Sequence, residues 1–167
     1  MKKNNFWVMA TLVLSLGLNG CGKEDPAAEL NVDRNKVATV SGIAHATLDG
    51  ISIVKQYAPQ GTKVFLKVEY TELSSGASTG VYLLETTVGA SGKFEFQNVP
   101  VSNNGATVTI TGDEFVHSYT MPNPSLEFPN GTKNEMRKYH TSSVYASINV
   151  GSTAFVTLEY GTGSLFE

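Results

Sequence analysis

From Val37 onward, apolar residues recur at every second position in short runs, and the runs are separated by Gly, Asn and Ser. A period of two sends successive side chains to opposite faces, so each run reads as a strand with one face turned to a core. The clearest is Lys63 to Tyr70. Val64, Leu66, Val68 and Tyr70 share one face there, Lys67 and Glu69 the other, and Phe65 breaks the pattern on the wet side. Lys93 to Gln97 sets Phe94 and Phe96 inward and Lys93, Glu95 and Gln97 outward, while Val108 and Ile110 oppose Thr107, Thr109 and Thr111. Val144, Ala146, Ile148 and Val150 share a face, as do Ala154, Val156, Leu158 and Tyr160, and Gly151-Ser152 between them predicts a tight turn and a hairpin. With Val37 to Leu48 and Gly80 to Val88 the count is about seven strands, and no window of ten or more residues keeps helical spacing. The pattern predicts an all-β fold, a single β-sandwich over residues 37–167. Some twenty inward side chains, at roughly 1.5–3 kcal/mol each, contribute tens of kcal/mol before chain entropy is subtracted.

The first thirty-six residues follow a different pattern. Met1-Lys2-Lys3 is basic, Phe6 to Leu18 is an apolar run too short to span a bilayer comfortably, and small or polar residues lead to Cys21, the single cysteine. That succession predicts a signal peptide over residues 1–20; the alternatives are a cysteine that is a lone buried thiol or half of a disulfide, and an uncleaved membrane helix. Gly22 to Lys36 carries charge, Pro26, Ala and Asn without a period, so residues 21–36 read as the cysteine and a tether. Leu18-Asn19-Gly20-Cys21 resembles the lipobox of bacterial lipoproteins. The resemblance implies a diacylglyceryl group on the Cys21 sulfur, cleavage before Cys21 and acylation of the new amino terminus. One acyl chain holds a protein only marginally, whereas two or three make attachment durable. Lys23-Glu24-Asp25 looks like the surface-export signal of Bacteroides-group lipoproteins, and a solvated charged linker is the other reading. Gly22 stands where an inner-membrane retention signal has Asp. The expected location is the outer membrane, on the cell surface, with a periplasm-facing domain as second choice; the expected partner is the membrane, reached through the lipid.

Charge then removes some partners. Of 12 basic residues Lys2 and Lys3 leave with the signal, so ten face 15 acidic ones in the 147 residues that remain when 20 are taken from 167. One domain of that length buries about two-thirds of its surface. A mildly acidic surface argues against nucleic acid, whose phosphates call for clustered Lys or Arg, and against an electrostatic hold on anionic lipid. With Cys21 acylated no thiol remains, so the domain is expected to be stable without disulfides.

Thr39-Val40-Ser41-Gly42-Ile43 reads as an opening strand, and Ala58-Pro59-Gln60-Gly61-Thr62-Lys63-Val64 as a Pro-x-Gly-x-x-Val lead into the next. Thr86-Thr87 follows, then Ser91-Gly92-Lys93-Phe94-Glu95-Phe96-Gln97-Asn98-Val99-Pro100: a Gly turn, two core aromatics, and a Val-Pro corner whose missing N–H ends the ladder. From Thr39 to Tyr119 this order resembles the carboxypeptidase regulatory-like and Cna-B-like domains, the transthyretin-like sandwiches. The resemblance implies a scaffold, stalk, adhesin segment or binding module rather than turnover, although fold alone does not decide function. Two stretches depart from it. Gly42 to Pro59 is longer than the pattern, and Met121 to Met136, with Pro122, Pro124, Pro129 and Asn130-Gly131, reads as an extra polar loop. That loop either carries recognition on a rigid scaffold or is a surface insertion.

The chain contains no Gly-x-Ser-x-Gly elbow, His-Glu-x-x-His, Gly-rich phosphate loop or EF-hand spacing, and an acylated Cys21 is no nucleophile. His45, His117 and His140 on adjoining strands would make a zinc trio, and Asp113-Glu114 a calcium pair. Ordinary solvated roles are the commoner outcome for both, so neither a metal site nor a cofactor is expected. Cna-B-like relatives sometimes carry a Lys–Asn isopeptide bond; Lys63 or Lys67 with Asn149 and Glu85 are the residues concerned, and the polar-face parity of Lys67 speaks against it. Phe65, Phe115, Tyr119, Tyr139 and Tyr145 are the remaining hint, as a platform for stacking sugars or packing a partner protein. The alternative is that the long loop or the second sheet covers them. The expected function is a non-catalytic binding or structural accessory with a glycan or protein ligand. Its rivals are an adhesion or filament subunit, with Gly161 to Glu167 as a strand for exchange, and a metal-dependent envelope enzyme.

Overall fold

A computed structural model describes residues 33–52, 54–74, 79–125 and 127–165. Leu18, Asn19, Gly20, Cys21, Lys23, Glu24 and Asp25 lie outside the described residues. Two sheets pack face to face as an all-β sandwich. The larger holds β1 (Val37–Ala46), β2 (Gln56–Tyr57), β5 (Lys93–Pro100), β7 (Phe115–Pro122), β8 (Thr132–Thr141) and β10 (Thr153–Leu165). The smaller runs in the order β4 (Val81–Thr87), β3 (Lys63–Glu69), β6 (Ala106–Gly112), β9 (Val144–Ile148). One helical turn, α1 (Tyr70–Leu73), links β3 to β4.

β1 is the strand on which the larger sheet is assembled. On one side it pairs in parallel with β10, from Thr39↔Thr153 to Ala46↔Tyr160. On the other it pairs antiparallel with β5 along Val37–Ile43 and with β2 at His45 and Ala46. β8 and β7 then extend the sheet beyond β10. The inward positions of β1 are all small or β-branched, Ala38, Val40, Gly42, Ala44 and Ala46, and each is buried. The bulk comes from neighbours: Phe94 and Phe96 of β5, Val64, Leu66 and Val68 of β3, Val108 and Ile110 of β6, Ile148 of β9, and Val156 and Leu158 of β10. Large rings facing small residues fill a core without voids. At Gly42 the complementarity is tightest, because an added Cβ would stand 2.3 Å from the Phe94 ring and 2.6 Å from the Val156 carbonyl.

All seven strands expected from the alternation are present, and β2, β7 and β8 are additional. β7 and β8 escaped the pattern because their far ends are half buried or exposed on both faces, so no face is purely apolar there. Much of the stretch read as a polar loop, Met121 to Met136, is therefore strand. The turn itself spans 123–131 and closes with Asn123 N donating to the Gly131 carbonyl at 2.7 Å. The segment after β1 runs along the outer edge of β7, where Gly50 N donates to the Thr120 carbonyl at 2.7 Å and Asp49 bridges Thr120.

Four local expectations are corrected. β9 and β10 do not form a hairpin: β9 pairs with β6 and β10 with β1 and β8, so the turn at Gly151, with φ 71°, carries the chain from one sheet to the other. Ile148 and Val156 consequently face each other's sheet across the core, and Val150 leaves its strand and is exposed. Tyr70 does not continue the inward file of β3 but opens α1. The ladder does not end at Val99-Pro100, since Pro100 lies opposite Val37 and Val101 N donates to the Lys36 carbonyl at 3.0 Å. Instead β5 carries a bulge between the Ala38 and Val40 pairs, and Asn98 takes the left-handed conformation, φ 56°, that Asn tolerates better than a branched residue. Finally, the carboxy-terminal segment proposed for exchange pairs within its own sheet as far as Leu165↔Arg137.

Gly42→Ala tests the contact at the centre of the larger sheet. We expect a loss of about 1–3 kcal/mol, the usual cost of overpacking, read from urea unfolding followed by tyrosine fluorescence; an unchanged midpoint would show that the Phe94 ring swings away freely.

Candidate binding face

The five aromatics proposed as one surface separate into two groups. Phe115, Tyr119 and Tyr139 lie on the inner side of β7 and β8, because the antiparallel register Phe115↔Tyr139 and Tyr119↔Glu135 puts them on the face that meets the sandwich. Tyr139 is 0% exposed and stacks on Phe115 with centroids 4.9 Å apart, and Phe115 tilts against Tyr160 at the same 4.9 Å. Tyr139 and Phe115 are thus interior packing and not a ligand surface. Tyr119 is half buried under the Arg137 guanidinium, 4.3 Å from its ring centroid. Parity alone did not reveal this, because it assigns a side of the strand without saying which side is covered.

Phe65 and Tyr145 come together on the outer face of the smaller sheet. Registers across the four strands arrange that face in rows. Glu85, Phe65 and Thr111 form one, closed by the 2.7 Å contact between the Thr111 and Ser143 hydroxyls. Leu83, Lys67, Thr109 and Tyr145 form the next. Val81 opposite Glu69, and Thr107 opposite Ser147, continue the pattern in the third. Tyr145 is 70% exposed and Leu83 60%, while Phe65 is half buried between its neighbours. At strand spacings of about 4.8 Å, the two aromatic rings stand roughly 10–12 Å apart with the threonine file of β6 between them.

Charge on this face is balanced locally. Lys63 meets Glu85 at 2.8 Å and Lys67 meets Glu69 at 2.7 Å. The Glu85 carboxylate holds the Lys63 ammonium above its ordinary range. A neutral platform of flat apolar rings, hydroxyls and paired charges can stack and hydrogen-bond a ligand. The signal missed in the sequence was Leu83 with the Thr107, Thr109 and Thr111 file, whose outward parity was read but not joined to the aromatics. On the outer face of the larger sheet Phe155 is 67% exposed as well, beside Ser41, Glu95 and Gln97.

The other candidates fall apart spatially. His45 stacks on Tyr57 at 5.4 Å on β1, His117 bonds its own strand through Nδ1 to the Ser118 carbonyl at 2.8 Å, and His140 is exposed on β8. β1 and β7 are separated by β10 and β8, so the three imidazoles do not converge. Asp113 Oδ1 accepts from Glu114 N at 2.9 Å, and Glu114 pairs with Lys138. Lys63 and Lys67, on the outer face, are ion-paired there, and Asn149 lies beyond the end of β9 against Gly105.

No protein-family model matches this chain, and no curated protein matches it either. Three solved structures do. One, a Pseudomonas aeruginosa protein provisionally named as carbohydrate binding, is 18% identical over 77% of this chain and 92% of its own, with a TM-score of 0.46. Another, a Bacteroides thetaiotaomicron protein provisionally named as polysaccharide binding, is 11% identical over 75% of this chain and 47% of its own, with a TM-score of 0.36.

The buried aromatic group carries its own pH dependence. Burial pushes the Tyr160 hydroxyl from 10.0 up to about 12, with Asp113 adding to the effect, and raises Tyr139 for the same first reason. The unfolded chain therefore gives up the Tyr160 proton first. Stability from neutral Tyr160 is complete below about pH 10 and declines as the pH rises toward 12. Neither hydroxyl has a hydrogen-bond partner, so Tyr160→Phe should unfold at the same urea concentration as wild type, or a higher one, at pH 7. Above pH 10 it should lose stability less steeply than wild type; parallel curves would refute the assignment.

Proposed function

We propose that this protein is a non-catalytic carbohydrate-binding module of the bacterial envelope, and that it binds through the outer face of the smaller sheet. The observation that carries the reading is the coexistence, on one uncovered and charge-balanced sheet face, of two separated aromatic rings with a file of threonine hydroxyls between them. A pyranose offers an apolar C–H face and a rim of hydroxyls, and aromatic stacking with adjacent hydroxyl partners meets both. A protein partner is the poorer fit, because Val81 and Leu83 adjoin on β4 but Lys67, Glu69 and the threonine file part them from Tyr145, so the face holds no broad continuous apolar patch. Chemistry by turnover would call for several titratable groups with shifted pKa values gathered in one cleft; the shifted groups here, Asp33, Lys63 and Glu135 in separate ion pairs and the core tyrosines, are spread over different parts of the fold.

In this reading residues 1–20 are a lipoprotein signal peptide, Cys21 carries the lipid, residues 21–36 are the tether, and 37–167 is the sandwich. The anchor fixes the domain to the outer membrane, with Lys23, Glu24 and Asp25 directing it to the cell surface. The lipobox residues and the basic, apolar run before them support the anchor. The order of elements from Thr39 to Tyr119 supports kinship with the carboxypeptidase regulatory-like sandwiches.

Two outcomes follow. On a glycan array, Tyr145→Ala and Phe65→Ala should each lose about two- to tenfold in affinity, from stacking worth roughly 0.5–1.5 kcal/mol; because Tyr145 is largely solvent exposed, its variant should melt with the wild type. Binding that survives both substitutions would remove the platform. In fractionated cells, Cys21→Ala should move the protein from membrane to soluble fractions, and replacing Lys23, Glu24 and Asp25 by Ala should protect the still-anchored domain from protease added to intact cells.

A further inference from the structure

At one end of the candidate face the surface drops into a cleft of about 600 Å³, within the size range of small-molecule sites. The strands of the face lead into it. Along β9 the outward positions Tyr145 and Ser147 are followed by Asn149, and along β6 Thr109 is followed by Thr107; Ser147, Asn149 and Thr107 all line the cleft. At about 3.3 Å per residue the cleft begins within roughly 13 Å of the Tyr145 ring.

Its polar wall is built by two local devices. β3 turns away after Glu69, so Thr107 N has no strand to donate to, and α1 swings Glu72 back until Oε2 accepts that N–H at 2.8 Å. One carboxylate oxygen is thereby fixed to the backbone, and the group is held at the cleft wall. The second device is the turn Ser102–Gly105, closed by Gly105 N to the Ser102 carbonyl at 3.1 Å and by the Ser102 hydroxyl to the Gly105 carbonyl at 2.5 Å. Gly105 takes φ 84°, and an added Cβ there would stand 2.6 Å from Asn149 Oδ1. The turn presents Asn103 and Asn104 at the rim. Buried Val101, Ala106 and Ile148 give an apolar floor. Asp33 and Lys36, paired at 3.1 Å just ahead of β1, line the cleft as well. Among the described residues Glu72 is the one carboxylate of this cleft without an ion-pair partner.

We infer that this cleft is a second subsite of the same face, one that takes one residue of a neutral oligosaccharide whose neighbouring residues lie over Tyr145 and Phe65. The inference rests on the carbohydrate reading above and adds a direction to it. A carboxylate and three amides around an apolar floor match the hydroxyl rim and C–H face of a single sugar.

The test uses the full chain and titration calorimetry with unbranched gluco- and manno-oligosaccharides of one to six units. Wild type should bind more tightly as length increases. Glu72→Gln keeps an acceptor for Thr107 N and so keeps the fold, and it should weaken every length about tenfold, as loss of a charge-assisted hydrogen bond does. Asn104→Ala, at an exposed turn, should act in the same direction. Tyr145→Ala should flatten the length dependence while the shortest sugars still bind. If Glu72→Gln and Asn104→Ala bind every length as wild type does while Tyr145→Ala does not, the cleft is no subsite and the platform stands alone. If wild type binds none of the sugars, the carbohydrate reading and the subsite fall together.

Discussion

The placement of β1 between β10 on one side and β5 with β2 on the other is the constraint from which the rest of the sandwich follows. A strand paired on both edges and flat enough for the Phe94 ring to lie over Gly42 has no freedom of register, since a one-residue slip would turn its whole small-residue face to solvent. Its parallel partner arrives last in the chain. The larger sheet is therefore complete only when β10 is in place, and the pairing is of high sequence separation, the kind that is slow to form. β10 in turn positions β8 and β7, and with them the stack of Tyr139, Phe115 and Tyr160 whose hydroxyls are buried without partners.

The smaller sheet inherits its role from this arrangement. Its inner face is consumed by the core, and no element of the described chain crosses its outer face. What remains outside is set by parity on four short strands: threonines from β6, alternating charges from β3, Leu83 from β4 and Tyr145 from β9. The ion pairs are individually weak in solvent, yet they cancel one another's charge and leave the face without a strong field of either sign. The end of the face is shaped by a defect in the ladder. β3 stops short of β6, and the side chain that repairs the exposed N–H, Glu72, is also the one that gives the cleft its carboxylate.

How much of this the sequence carried depended on whether alternation was sufficient. Seven strands and most of their core positions were legible because a strict period of two admits one interpretation, and the misses, Tyr70 and Val150, stand where a strand has already ended. β7 and β8 were not, since a ribbon reaching past the second sheet has no fully apolar face. Gly151-Ser152 between two alternating runs fits a hairpin and an arch equally well; only the opposed burial of Ile148 and Val156 across the core separates them. The aromatics were read to the right side of each strand but not to the right side of the molecule, so Tyr139 joined a surface it does not reach. The cleft left no trace, because Glu72, Asn103, Asn104 and Asn149 are ordinary loop residues until the fold gathers them.

The arrangement of β1 has a mechanical side as well. The segment preceding Val37 passes through a turn, with Lys36 N donating to the Asp33 carbonyl at 3.0 Å, and joins an interior strand rather than an edge strand, so tension that opens the turn is drawn along the strand axis. Hydrogen bonds to β10 and β5 lie across that axis and are loaded together in shear, where an edge strand would be peeled one bond at a time. Resistance of that kind is a matter of the unfolding rate rather than of equilibrium stability. A sandwich loaded through the start of β1 would keep its shape longer than one loaded through an edge strand.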